Sequence, residues 1–203
     1  MMKQLLIALS LLLGHVALAG EPSLSVRREE ARLLNQVIPT TILGDKLRVW
    51  DGTGWRAAST VEGNRTKAKV LVVNLWATYC KPCLEEFPVL REMAQRIEGD
   101  YQQDVQFVFL SETSDPQLMR DYVAKNAKIL PHKSPLYLDE NENVARILRW
   151  VQPGGSMSLP TTIILDENRS IRYAMIGAMI DRRSELVNAI DDIMGSIQQR
   201  NQK

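Results

Sequence analysis

An α/β domain with a mixed central sheet flanked by helices is predicted by three features of this 203-residue chain. Strand-like and helix-like segments alternate through its middle. The run Val70 to Trp76 is almost continuously apolar and rich in β-branched residues, as in a strand buried on both faces. Near the end, a β-hairpin is followed by one more helix, so the sheet cannot be purely parallel.

Residues 1–19 read as an address rather than as part of the domain. Lys3 gives a positive start, Leu5 to Leu13 an apolar stretch, and Ala17, Leu18 and Ala19 a small-x-small pattern of the kind cut by signal peptidase. The apolar run is shorter than the ~20 residues of a spanning helix, so cleavage before Gly20 is expected over anchoring. No cysteine follows the expected cut to carry a lipid, and no later segment is apolar enough to cross a bilayer, so the exported chain is expected to be soluble. The localisation expected is periplasmic or otherwise exported. Of 25 basic and 24 acidic residues, Lys3 leaves with the leader, and the near-neutral remainder gives no sign of nucleic-acid binding.

Residues 20–45 are expected to be an N-terminal extension and 46–203 the domain. In the extension, Leu33, Leu34, Val37 and Ile38 have helical spacing, stopped by Pro39, which predicts a short helix there. Leu47 to Trp50 and Trp55 to Ala58 flank the turn-forming Asp51, Gly52, Thr53 and Gly54, a predicted hairpin, and a charged loop runs from Glu62 to Lys69.

After the central strand, Cys83, Phe87, Leu90, Ala94 and Ile97 mark the inward stripe of a helix ending near Gly99, with a kink expected at Pro88. Val105 to Leu110 is a second strand. Asp115 and Pro116 form an N-cap and first helical position for a helix reaching about Asn126. Leu136 to Leu138 is a further strand, Asn143 to Trp150 a short helix, and Gln152 to Ser158 a loop. Thr161 to Leu165 and Ile171 to Ile176 form the late hairpin, and the last helix spans about Arg182 to Ile197.

The chain has two cysteines, Cys80 and Cys83, where the central strand meets its helix. A bridge between them closes too short a loop to staple a fold through chain entropy, so a reversible redox role is the better reading. At a helix start, Cys80 meets unpaired amides and the positive end of the helix dipole, which favour thiolate. Lys81 adds a cation nearby and Pro82 suits the first turn. Cys80 is thus the predicted nucleophile and Cys83, one turn later, the resolving thiol. Glu86 lies one turn beyond Cys83, with apolar Leu90 and Met93 at its own i+4 and i+7 positions, so partial burial is expected. Burial raises a carboxyl pKa and equips it to take or return the proton of Cys83. Glu85, sharing a face with Glu92 and Arg96, reads as a solvated helix residue.

The block Val73-Asn74-Leu75-Trp76-Ala77-Thr78-Tyr79-Cys80-Lys81-Pro82-Cys83-Leu84-Glu85-Glu86-Phe87-Pro88 resembles the active site of TlpA- and ResA-type thioredoxin-like proteins, over a span of about Ile42 to Met194. The resemblance implies a thioredoxin-like fold, asparagine at Asn74 where thioredoxins proper have aspartate, and a working glutamate at Glu86. It also implies that Leu159-Pro160-Thr161-Thr162 is the active-site loop with a cis peptide before Pro160, presenting the Leu159 backbone to an extended substrate segment. Relatives often carry threonine at Leu159. Leucine offers the Cys80 sulfur no hydroxyl, so titration of Leu159→Thr should show a lower Cys80 pKa. Trp76 and Tyr79 are candidates for covering the dithiol and shaping the partner surface, although either can equally be core.

The resemblance further implies protein disulfide substrates, no cofactor, and a membrane electron donor of the DsbD or CcdA type, with apocytochrome c among the outputs of relatives. Reductase is the favoured direction, with an oxidising or isomerising enzyme as the alternative. A copper(I) module is the rival from another class, with Met157, Met175 and Met179 as soft ligands, yet methionine is more often a gap filler. Zinc is disfavoured because His132 is the only histidine after the leader and lies far from the cysteines, and haem attachment is excluded by Leu84 after Cys83. A peroxide-reducing relative would carry proline and threonine where this chain has Val73 and Ala77. A redox-inert thioredoxin scaffold is disfavoured by retention of both thiols.

Overall fold

Strand β3 (Val70–Trp76) is buried along its whole length, as its sequence predicts. The computed structural model describes residues 22–38, 47–51, 53–57, 68–102, 104–113, 115–126, 128, 130, 136–139, 146 and 158–202. The expected leader, the segment Glu62 to Lys67, His132, the helix expected over Asn143 to Trp150, and the loop up to Met157 lie outside these residues, Arg146 apart.

Around β3 the described strands form one sheet. They are β1 (Arg48–Trp50), β2 (Trp55–Ala57), β4 (Val105–Ser111), β5 (Leu136–Leu138), β6 (Thr161–Leu165) and β7 (Ile171–Ile176), in the order β2-β1-β5-β4-β3-β6-β7. β3 is parallel to β4, and β4 to β5, whereas β6, β7, β1 and β2 join antiparallel. This is the mixed sheet anticipated from the alternation followed by a hairpin.

Alternation along β3 divides the core in two. Val70, Val72 and Trp76 pack with the inward stripe of α2 (Lys81–Asp100), with Met119 and Val123 of α3 (Pro116–Asn126), and with Leu186, Ile190 and Met194 of α4 (Arg183–Asn201). Leu71, Val73 and Leu75 pack on the other face with Val108, Ile163, Ile176 and Leu33. Asn74 has the parity of Val72 and Trp76, which directs its amide toward α2. Asp115 caps α3 as expected, its Oδ1 accepting from the amides of Gln117 and Leu118 at 2.8 and 3.1 Å. Helix α2 runs unbroken through Pro88, and α4 continues to Asn201 after a 3-10 turn at Ile180–Arg182.

The N-terminal helix is not where its apolar spacing put it. Helix α1 is Leu24–Leu33, capped by Ser23, whose side chain accepts from Val26 N–H. Asn35 adopts φ 65°, which ends the helix, and Val37 forms an antiparallel bridge with Ser170. The backbone there joins the late hairpin: Asn35 N–H donates to Ile171 O at 2.8 Å, Ile171 N–H to Gln36 O at 2.8 Å, and Ile38 N–H to Arg169 O at 3.0 Å. The helix eluded its apolar pattern because its buried residues are Leu33 and a charged one, Glu30.

Candidate active site

Cys80 is the N-cap of α2, with extended backbone, and its Sγ accepts from Cys83 N–H at 3.3 Å. The sulfur thus takes one of the amides that every helix start leaves unpaired, and the dipole adds to the preference for negative charge there. Behind it, Cys80 N–H donates to Ala77 O at 3.1 Å. Thr78 N–H donates to Thr113 Oγ1 at 3.1 Å, and Glu112 N–H to Trp76 O at 2.7 Å, so the turn before the helix is tied to the end of β4.

Cys80 and Cys83 form a disulfide with Cα atoms 5.4 Å apart. Cys80 is 6% exposed and Cys83 0%. Cys80 is therefore the more accessible sulfur of the pair, the one that an external sulfur can reach.

Glu86 is more deeply placed than its sequence pattern suggests, 0% exposed rather than partly buried. Asn74 Nδ2 donates to its Oε1 at 2.9 Å and to Thr162 Oγ1 at 3.1 Å. The amide of Met179 donates to its Oε2 at 2.9 Å. Burial outweighs these hydrogen bonds and pushes the carboxyl up to about 7. Among the described residues, no charged side chain takes part in that shift. Located one turn after Cys83 on the buried stripe, Glu86 is a carboxyl able to gain or lose a proton near neutrality.

The remaining predicted residues divide. Leu159-Pro160 is cis, as the resemblance implied. Pro160 is buried and its carbonyl accepts from Gly177 N–H at 2.9 Å, while Leu159 is half-buried against both halves of the core. Tyr79 is 74% exposed, and its hydroxyl donates to Glu112 Oε2 at 2.8 Å, which holds the ring at the surface beside the dithiol. Trp76, by contrast, is wholly buried, edge-on to Phe87 with centroids 5.0 Å apart, so it is core and not partner surface. Pro82 is exposed. Lys81 is exposed as well and pairs with Glu85 at 3.7 Å, so the donor that reaches the sulfur is the Cys83 amide. Met175 and Met179 are buried core residues. Among the described residues, no group of three or more histidine, cysteine or acidic side chains is arranged to hold a metal.

Sequence reasoning missed two contributors. Met179 acts through its backbone and so leaves no residue-type signal. Thr162 was visible in the Leu-Pro-Thr-Thr block, but its pairing with Asn74 depends on the antiparallel register Asn74↔Thr162 between β3 and β6.

The fold and the site together define a dithiol protein of the thioredoxin fold: an N-capping cysteine, a buried partner thiol and a cis-proline loop on a mixed sheet. Residues 57–190 match the Redoxin family, and the chain belongs to it. The chain is 29% identical over 119 residues to the thioredoxin-like protein YneN of Bacillus subtilis, covering 59% of this chain and 63% of that one. It is 25% identical over 126 residues to the thiol-disulfide oxidoreductase ResA of Halalkalibacterium halodurans, covering 62% and 64%. The chain therefore spans somewhat under two thirds of the length of these relatives. In fold it is similar to a putative thiol:disulfide interchange protein DsbE from Chlorobium tepidum, with a TM-score of 0.52 at 18% identity over 72% of this chain and 91% of that one.

Proposed function

We propose that this chain is an exported thiol-disulfide oxidoreductase that reduces disulfides in envelope proteins, apocytochrome c thiols being one class of output. The observation that carries the chemistry is the graded access of the pair, Cys80 at the helix start and Cys83 wholly buried one turn before the buried Glu86. Export is supported by the leader-like pattern of residues 1–19. Reduction as the direction, and a membrane electron donor of the DsbD or CcdA type, are supported by the resemblance to the ResA branch.

In the reducing direction, the Cys80 thiolate attacks one sulfur of a substrate disulfide. The substrate S–S bond breaks, the first substrate thiolate leaves, and a mixed disulfide forms. Glu86 accepts the proton of Cys83, whose thiolate then attacks Cys80 Sγ and expels the second substrate thiolate. Two electrons pass to the substrate, which ends as two thiols, and the protein ends with the Cys80–Cys83 bond seen here. The donor returns the two electrons.

Reduction of a protein disulfide, followed with dithiothreitol as donor, is the test. Cys80→Ser is expected to abolish it, whereas Cys83→Ser is expected to trap mixed disulfides. Wild-type turnover by the Cys80→Ser protein would refute the reading. Equilibration with glutathione buffers gives the direction: a potential close to the strongly oxidising range of ~−120 mV would refute the reductase.

A further inference from the structure

The turn between β7 and α4 touches the redox site twice. Gly177 N–H donates to Pro160 O, in the cis-proline loop, and Met179 N–H donates to Glu86 Oε2, each at 2.9 Å. Gly177 has φ +93°, a conformation that side chains rarely adopt, so the turn is shaped at the residue meeting the loop. Hydrogen bonds from so short a segment hold their aim only if its two ends are fixed.

One side chain bridges the two ends. Glu30 of α1 accepts Ile176 N–H on Oε1 at 2.9 Å, just before the turn. The same carboxylate takes Arg182, just after it, at 2.7 Å through Oε1 and 3.2 Å through Oε2. Arg182 N–H closes the span on Met179 O at 2.8 Å. Glu30 and Arg182 are both 5% exposed. A buried ion pair is a poor general stabiliser compared with apolar packing, so its location astride this turn is the informative fact.

We propose that Glu30 is a positioning residue of the redox site, clamping Ile176 to Arg182 so that the intervening turn presents the Met179 amide to Glu86 and the Gly177 amide to Pro160. The N-terminal helix is thereby part of the site's scaffold. The consequence for exchange rests on the reading of Glu86 as the proton carrier for Cys83; the clamp itself does not. Glu86 accepts from Asn74 of β3 and from the Met179 amide; Asn74 also donates to Thr162 of β6, and Cys83 lies one turn earlier on the same helix. Arg182, Glu30, Glu185 and Tyr173 lie beyond the turn, joined to one another through Arg182 and the Tyr173–Glu185 hydrogen bond.

The two effects of removing Glu30 have opposite signs, which makes the test decisive. Releasing the Met179 amide takes a donor from the Glu86 carboxylate and raises its midpoint. Simple electrostatics, with a negative charge gone and Arg182 left less neutralised, lowers it. The experiment is a carbon-13 NMR titration of the glutamate carboxyls in the oxidised full chain, with Glu86→Gln assigning the resonance. Glu30→Ala is expected to raise the Glu86 midpoint by about one pH unit, the weight of one hydrogen bond to a charged group. Glu30→Gln keeps an acceptor for Ile176 N–H and is expected to give a smaller rise; it decides the matter alone if Glu30→Ala does not fold. An unmoved midpoint with a lowered melting temperature, or a midpoint that falls, would overturn the proposal. If Glu86→Gln exchanged disulfides at the wild-type rate, the proton-carrier role would fail while the titration result stood.

Discussion

Glu86 and Glu30 are both buried carboxyls, and both accept a backbone amide from the segment that ends β7 and leads to α4, yet the fold treats them oppositely. Glu30 is forked by Arg182, which also pairs with Glu185, itself bound by Arg27. Among the described residues, Glu86 receives neutral donors alone, from Asn74 and Met179. The paired region is therefore a mechanical one, built of ion pairs. The unpaired region keeps a carboxyl near neutrality, pushed up from 4.5 to about 7. Among the described residues, a buried acid held by neutral donors is thus left titrating near neutrality, while the end of the same turn supplies an arginine to Glu30.

The largest expected effect that sharpens this contrast is on stability. Glu30→Ala leaves the Arg182 guanidinium short of its buried partner and is expected to cost about 3 to 5 kcal/mol, read as a lower denaturant midpoint with unchanged slope. A loss of under ~1 kcal/mol, the range of exposed pairs, would erase the distinction between the two regions.

Glu86 behaves in the reverse sense. Its folded pKa is raised, so its contribution is fully present below 4.5 and is lost as pH climbs through about 7. Glu86→Gln in the oxidised protein is accordingly expected to be more stable than wild type at pH 8 by up to about 3 kcal/mol, and to lose that advantage at low pH. An advantage that does not depend on pH would break the comparison. Glu185 supplies the opposite edge. Its arginine partners hold it down to about 2, so its stabilisation is present above 4.5 and fades as pH falls toward 2. Together these two groups favour the fold most near about pH 4.5.

The kinetic counterpart follows from the acid-base role. Glu86→Gln is expected to slow release of the mixed disulfide by about 10²-fold and to flatten its pH dependence between about pH 5 and 8, measured by stopped-flow quench. Smallest of all, Glu85→Gln breaks only the exposed contact with Lys81 and is expected to leave both stability and exchange unchanged.

Much of this molecule was legible in its sequence because the relevant patterns are local. The unbroken apolar run of β3, the four-and-three spacing on α2, the Asp115-Pro116 start of α3 and the Thr161–Leu165/Ile171–Ile176 hairpin each carry their signal within a few residues. The dithiol and Glu86 lie in one such block. What escaped is what depends on distant partners. Helix α1 buries Glu30 where a pattern reader looks for an apolar residue, because its partner Arg182 is 152 positions away. Trp76 could not be assigned to core or surface until Phe87 and Tyr122 were seen packed around it. The Met179 amide, central to the Glu86 environment, belongs to the backbone and has no sequence signature.

The carboxyl titration of Glu86 in the wild-type chain, read by carbon-13 NMR and assigned with Glu86→Gln, tests the central claim most directly. A midpoint near 7 is the result expected of a buried acid held by the neutral donors Asn74 and Met179. A midpoint near 4.5, the ordinary value, would mean that the site does not hold a proton for Cys83.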